Sequence, residues 1–313
     1  MFDMSLRTAE GLDKYFKDNG TVKGPLHGLP ISLKDQFHVE GYDTTMGYVG
    51  WIGTYEGDKD IVKVNKINSQ IVKELLSLGA VLYCKTSLPQ TLLLGETVNN
   101  VIGTTLNPAN QLLSCGGSSG GTDIGGSVRI PAGFCGTYSI KPTHDRLSYR
   151  DVANTNPGQD TYASSVGVMG TTIDAVKLVM TSILSTQPWI RDPAVISMPW
   201  NGDMKKSTLA RALPDGSANK KLPLKLGVFW TDGVVGPQPP IKRGLRIVLD
   251  VLKSMGHKVV DWNPPLQNNA KRTHPTVRTT STSSSNSLVN LKCLLFGKAS
   301  SCVTQFPCSN TRI

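Results

Sequence analysis

No apolar run in this sequence approaches the roughly 18 residues that a spanning helix needs. The amino terminus, MFDMSLRTAEGLDKYF, has neither the basic nor the apolar stretch of a secretory leader. A cytosolic protein without a membrane partner is therefore expected. Metal-ligand spacing is missing as well: His27, His38, His144, His257 and His274 are scattered, and no H-E-x-x-H occurs. The six cysteines include no C-x-x-C pair and are too few for a disulfide scaffold in 313 residues. Cys84, Cys115 and Cys135 read as free buried thiols. Acidic residues vanish at one end, since Lys271 to Ile313 holds six Lys/Arg and no Asp or Glu. More than half of the formal net charge of +10 sits there. The remainder is only mildly basic, so no nucleic-acid partner is expected.

What is present is an ordinary globular composition, 39% hydrophobic and 18% charged, with enough chain for one large core. Helical and strand periodicities alternate along it. Leu6, Ala9, Leu12 and Phe16 mark a helix, and GPLHGLPISLKD gives a turn and then a short strand ending at Lys34. Asp60 is a candidate N-cap for a helix through Ile61, Val64, Ile71, Leu75 and Leu78, closed by Gly79 and followed by the strand AVLYCKT. TTIDAVKLVMTSIL and IKRGLRIVLDVLKSMG read as helices, LKLGVFW and HKVVDW as strands. Such alternation predicts a layered α/β domain. After about Arg272 the composition breaks: Thr279 to Ser287 is all Ser and Thr except Asn286. Residues 273–313 are therefore expected to be a Ser/Thr/Cys-rich tail without a core, either a disordered extension or an end foreign to the ancestral protein.

The segment CGGSSGGTDIGGSVRIP, Cys115 to Pro131, crowds Ser118, Ser119 and Ser127 onto flexible backbone. A phosphate loop would need a lysine after the glycines, and none follows. G-x-S-x-G occurs twice, at Gly116 to Gly120 and Gly117 to Gly121, but a nucleophile elbow should follow a strand. LNPANQLLSC, which precedes it, is poor in β-branched residues and carries Pro108. Alone, the loop reads as a turn.

The wider set of blocks changes that reading. GPLHGLPISLKDQF, TTMGYVGWIGTYEGDKD, CKTSLPQTLLLGETVNN, GTTLNPANQLLSCGGSSGG and TDIGGSVRIPAGFCGTYSIKPT follow one another in this chain. Together they resemble the amidase signature family, and specifically its fungal acetamidase-like branch, from about Ala9 to Arg272. Glutamyl-tRNA amidotransferase A subunits share the signature. The resemblance implies α/β/α layers around a mixed twisted sheet, with residues 1–272 as a partial family domain.

It also implies roles. Ser127 matches the family nucleophile, Ser118 the bridging serine held in a cis peptide, and Lys34 the base. A lysine accepts a proton only when neutral, which burial in a run such as LPISL promotes. The amides of Ile124, Gly125, Gly126 and Ser127 match the oxyanion donors, a contribution of about 3 to 4 kcal/mol per donor. Leu92 matches a position lining the acyl pocket, and Ser119 a supporting hydrogen-bonder. Asp123 and Arg129 form either a pair behind the loop or two separately solvated charges. The implied reaction is hydrolysis of a small carboxylic amide to acid and ammonia through an acyl-enzyme at Ser127, with no metal and no organic cofactor. The resemblance leaves a homo-oligomer open. A catalytically dead, amidase-like binding protein and a serine esterase with a histidine base are the alternatives.

The chain departs from the family pattern after Gly121. There the family has a helix of roughly fifteen residues, about 22 Å long at helical rise, before TDIGGS begins. Here Gly121 runs straight into Thr122. The chain is also expected to begin late and stop early against family members. Removing a buried helix exposes the apolar faces that packed on it, and one large-to-small core change alone costs about 2 to 5 kcal/mol. The chain as written is therefore expected to be inactive or nearly so.

Overall fold

The first apolar series folds as its spacing predicts. In the computed structural model α1 spans Phe2–Asn19 and buries Ser5 and Leu12. It stops at Gly20, whose φ of 65° is the left-handed cap conformation that glycine adopts without strain. The Ser5 hydroxyl donates to Leu82 O at 2.8 Å and ties this helix to the strand beneath it. Residues 1–59, 62–92, 94–118, 120–155, 158, 163–204, 206–207, 224–231, 236–262, 289–290 and 302–304 are described, the last two stretches as backbone only.

The strand of Leu82 is β2, Val81–Thr86, which pairs in parallel with β1, Pro30–Lys34. Their register runs from Pro30↔Val81 to Lys34↔Thr86, with a shift between Ile31 and Ser32. Parallel neighbours need a crossover, and α2, Gln70–Ser77, lies within it. Leu26, Leu33, Phe37, Ile71, Val72, Leu75 and Leu82 form one core with Met180, Ile183 and Leu184. The last three come from α4, Ile173–Ser185, whose N-cap Thr172 accepts the Ala175 N–H at 3.1 Å.

α2 begins later than its apolar spacing predicts. Asp60 and Ile61 lie outside the described residues, and 62–69 are turns and extended chain. Tertiary contacts hold that stretch out of a helix. Asn65 sits at φ 53° with its carbonyl accepting the Gly41 N–H at 2.8 Å, and the Asn68 side chain takes the Glu40 N–H at 2.9 Å. Ser69 caps the helix by position only. Its hydroxyl accepts the His38 N–H at 2.8 Å and donates to Asp151 O, so it makes no bond to the helix it starts.

Three further small sheets belong to the same unit. β3 (Val98–Asn99) pairs with β4 (Gly103–Thr104), and β5 (Thr122–Asp123) pairs antiparallel with β7 (Ser165–Val166). β6 (Tyr138–Lys141) lies between β8 (Val168–Gly170) and β12 (Cys302–Thr304), both antiparallel. α3, Arg129–Cys135, follows β5 within six residues.

Contacts divide the chain into two compact units, Met1–Pro199 with Ser300–Ile313, and Trp200–Ala299. In the second, β9 (Lys225–Val228) pairs in parallel with β10 (Lys258–Asp261) and with β11 (Val289–Asn290). The crossover between β9 and β10 contains α5, Pro239–Ser254, which packs Leu245 and Leu249 against Val228. Among the described residues, helices are thus combined with parallel and antiparallel strand pairings in five small sheets. The expected boundary at Arg272 and most of the 273–313 tail lie outside the described residues. No helix among the described residues is long and apolar enough to cross a membrane.

Candidate active site

β1 ends where the chemistry begins. Lys34, its last residue, is 2% exposed, and its Nζ donates to Thr122 Oγ1 at 2.8 Å and to Thr122 O at 3.3 Å. Burial lowers its pKa from about 10.5 to about 7, against the opposing charge of Asp123. The glycine loop lies against the same strand end. Gly121, at φ 101°, is so close that a Cβ there would sit 2.9 Å from both Lys34 Cβ and Phe37 Cε2. The Gly120 N–H donates to Ser127 O at 3.2 Å, which joins the two glycine-serine clusters directly.

Ser118 follows the cis peptide Gly117–Ser118. Gly117 passes so near the 94–96 backbone that a Cβ would meet Leu94 O at 2.4 Å. Among the described residues the buried Ser118 hydroxyl has no hydrogen-bond partner, so neither Lys34 nor Ser127 is bonded to it. Ser127 is 6% exposed. Ser119 lies outside the described residues.

Asp123 and Arg129 are one buried fork, which excludes the alternative of separate solvated charges. Arg129 Nε and Nη2 reach Asp123 Oδ2 and Oδ1 at 2.8 and 2.9 Å. The same carboxylate accepts the Gly126 N–H at 2.8 Å and the Val128 N–H at 3.1 Å. Burial raises the Asp123 pKa, but Arg129 and these two amides outweigh it and hold the group below its ordinary value. The Gly126 amide, one of the expected oxyanion donors, is bonded to Asp123 Oδ1 here.

Leu92 ends a short turn, Gln90–Leu92, and packs half-buried against the Met46, Leu88 and Ala153 cluster. A cavity of about 470 Å³ opens among Asp35, Tyr83, Lys85, Leu88 and Asn99, and its lining includes none of Lys34, Ser118 and Ser127.

Two residues of this site escaped the sequence reading. Thr122 is the acceptor for Lys34, and Gln36 takes the Thr122 hydroxyl proton on its Oε1. Gln36 lies two positions past Lys34 in the turn that follows β1, closed by the Phe37 N–H to Lys34 O at 3.0 Å, a setting that strand spacing does not foresee. Lys141 is a fourth buried charged residue nearby, with Nζ 3.4 Å from Ser165 Oγ. Burial and Arg129 lower its pKa, while Asp123 raises it.

A buried amine against a serine-bearing glycine loop that an aspartate–arginine fork braces is a hydrolase-like construction without histidine. The chain belongs to the amidase family, whose pattern matches residues 1–292. An acetamidase of Emericella nidulans is 42% identical to it over 278 residues, 84% of this chain and 48% of that protein. An Aspergillus oryzae acetamidase is also 42% identical, with the same coverage. Among solved structures, fatty acid amide hydrolase superposes with a TM-score of 0.74 at 34% identity, over 86% of this chain and 47% of that one. Native peptide amidase from Stenotrophomonas maltophilia shares the fold at a TM-score of 0.61 and 24% identity, over 87% of this chain and 55% of that one. The chain spans about half the length of the curated relatives it matches.

Proposed function

We propose that this chain carries the core machinery of a serine amidase that hydrolyses small carboxylic amides to carboxylate and ammonia. The observation that carries the reading is Lys34: a buried lysine with a pKa of about 7, bonded to the strand that leads into Ser127. At neutral pH such an amine is partly unprotonated and can serve as a general base. In the scheme, Lys34 takes a proton from Ser118 as Ser118 takes one from Ser127, and Ser127 Oγ attacks the amide carbonyl carbon. Backbone N–H groups of the Ile124 to Ser127 turn hold the oxyanion, with the Gly126 amide spent on Asp123. Collapse breaks the C–N bond, and the proton returns through Ser118 to the departing nitrogen, which leaves as ammonia. Water then cleaves the acyl–Ser127 ester by the same proton path. The acetamide named in the relatives of this chain is the first substrate to assay.

A specific observation favours a second reading, an amidase fold without turnover. Among the described residues the Ser118 hydroxyl has no partner, which leaves the relay without a bond at its middle member. Catalytic groups must lie within about 0.5 Å of their productive positions, and an unbonded middle member does not meet that demand. We therefore expect the chain as written to turn over poorly. The test expresses it beside a version with a family-length helical segment between Gly121 and Thr122, extended to the length of its relatives. Acetamide hydrolysis and fluorophosphonate labelling of Ser127 are then measured in both. Activity confined to the longer chain supports the amidase reading and its interruption here. Robust turnover in the unmodified chain removes the interruption, and silence in both removes the amidase reading.

A further inference from the structure

We propose that Gln36 is a positioning residue: it fixes the direction of the Thr122 hydroxyl, so that Lys34 keeps a lone pair free to accept a proton. The inference rests on the reading of Lys34 as the base. Its argument begins at the far end of a buried chain of hydrogen bonds. Gln36 is 0% exposed, and its Nε2 lies 2.9 Å from Ala153 O and 3.1 Å from the Tyr149 hydroxyl. A backbone carbonyl only accepts, so the amide nitrogen, and not the amide oxygen, must stand at Ala153. That choice leaves Oε1 facing Thr122, and a carboxamide oxygen can only accept.

Thr122 must therefore donate its one hydroxyl proton to Gln36 Oε1. With that proton committed, Thr122 Oγ1 is an acceptor in its 2.8 Å contact with Lys34 Nζ. Lys34 donates one N–H there and a second to Thr122 O at 3.3 Å. A neutral amine has two N–H groups and one lone pair, so both donors are used on Thr122 and the lone pair is left over. Without Gln36 the hydroxyl is free to turn and donate to the amine nitrogen, which would cap the lone pair the reaction needs.

The charged surroundings do not supply this control by themselves. Asp123 is the carboxylate that acts on Lys34, and its charge is matched by Arg129. Asp35, next along the chain, pairs with Lys85 of the adjacent strand at 2.8 Å. Lys141 is coupled to Asp123 and Arg129, and Tyr149 reaches Lys34 only through Gln36 and Thr122.

The test reads Lys34 directly, by NMR titration of the full chain with ¹³Cε-labelled lysine, the resonance being assigned by its loss in Lys34→Met. Gln36→Met keeps the side-chain volume and removes the acceptor. Thr122→Val removes the hydroxyl, and Thr122→Ser retains it. Gln36→Met and Thr122→Val are expected to lower the Lys34 midpoint by about one pH unit, the first because the released Thr122 hydroxyl donates to the neutral amine and stabilises it, the second because the ammonium form loses an acceptor. Thr122→Ser is expected to leave it in place. An unmoved midpoint in Gln36→Met overturns the proposal; should that variant fail to fold, an unmoved midpoint in Thr122→Val does so. Fluorophosphonate labelling of Ser127 is followed in the same samples. Midpoints that move without labelling support the Gln36 role and agree with the interrupted relay, the amidase reading being decided by the lengthened chain. Labelling with unmoved midpoints overturns the Gln36 role and leaves the hydrolase reading standing.

Discussion

At one end of the proposed relay Lys34 is held by two bonds to Thr122 and backed by Gln36, Tyr149 and Ala153; at its middle, the buried Ser118 hydroxyl has no hydrogen-bond partner among the described residues. Both residues are reached by backbone in an unusual setting, a strand end for one and a cis peptide for the other. The difference lies in what surrounds them. Lys34 draws on β1, β5 and the segment near Ala153, all of which are anchored in sheets or in the main core. Ser118 follows Gly116 and Gly117 in the glycine loop, outside any strand or helix. A buried hydroxyl without a partner costs about 1 to 3 kcal/mol, so Lys34 is satisfied while the relay position carries such a cost.

The largest test of this contrast is Lys34→Met in a chain that labels at Ser127. Loss of a general base is expected to slow labelling by about 10² to 10⁴-fold, and a change under that range would deny Lys34 its role. The same variant sharpens the contrast through stability. The folded pKa of Lys34 is depressed to about 7 from about 10.5, so the unfolded chain binds the extra proton between those values. Burial of this lysine therefore costs most below pH 7, and the cost is relieved as pH rises toward 10.5, at no more than about 1.4 kcal/mol per pH unit. Urea unfolding of the unmodified chain should gain stability across that window, and Lys34→Met should lose this gain.

Next in size is Arg129→Met, which strands Asp123 as an unpaired buried carboxylate and should destabilise the chain by about 3 to 5 kcal/mol. Chemical denaturation measures it. A loss of under 1 kcal/mol would make the fork a bystander. Gly121→Ala forces a side chain into φ 101° and against Lys34 and Phe37, with an expected cost of about 1 to 3 kcal/mol. If that variant is as stable as the parent, the loop does not press on the base as described. The smallest effect belongs to Ser69→Ala, which leaves the His38 amide without its acceptor and should cost about 1 kcal/mol.

Much of this was legible in the chain itself. α1, β1, β2, α4, β9, α5 and β10 lie where apolar periodicity and glycine stops place them, because each buries a face that its own spacing defines. The start of α2 was not legible. Val64 continues a helical apolar series, yet residues 62–69 are held by Gly41, Glu40 and His38, and those contacts outweigh local spacing. Lys34, Ser118 and Ser127 were found through motif resemblance, and Asp123 with Arg129 as one of two open possibilities.

By itself the sequence determined which residue types stand near the glycine loop and which segments become helix or strand, since both follow from neighbours a few positions apart. Only the tertiary structure decided what those residues do to one another. Lys34 and Thr122 are 88 positions apart, as are Gln36 and Ala153 by 117, and no periodicity links them. Whether a lysine is neutral, which way a hydroxyl donates, and whether Gly126 keeps a free amide depend on distances of about 3 Å between such remote atoms. Those distances exist only once β1, β5 and the glycine loop have been packed together.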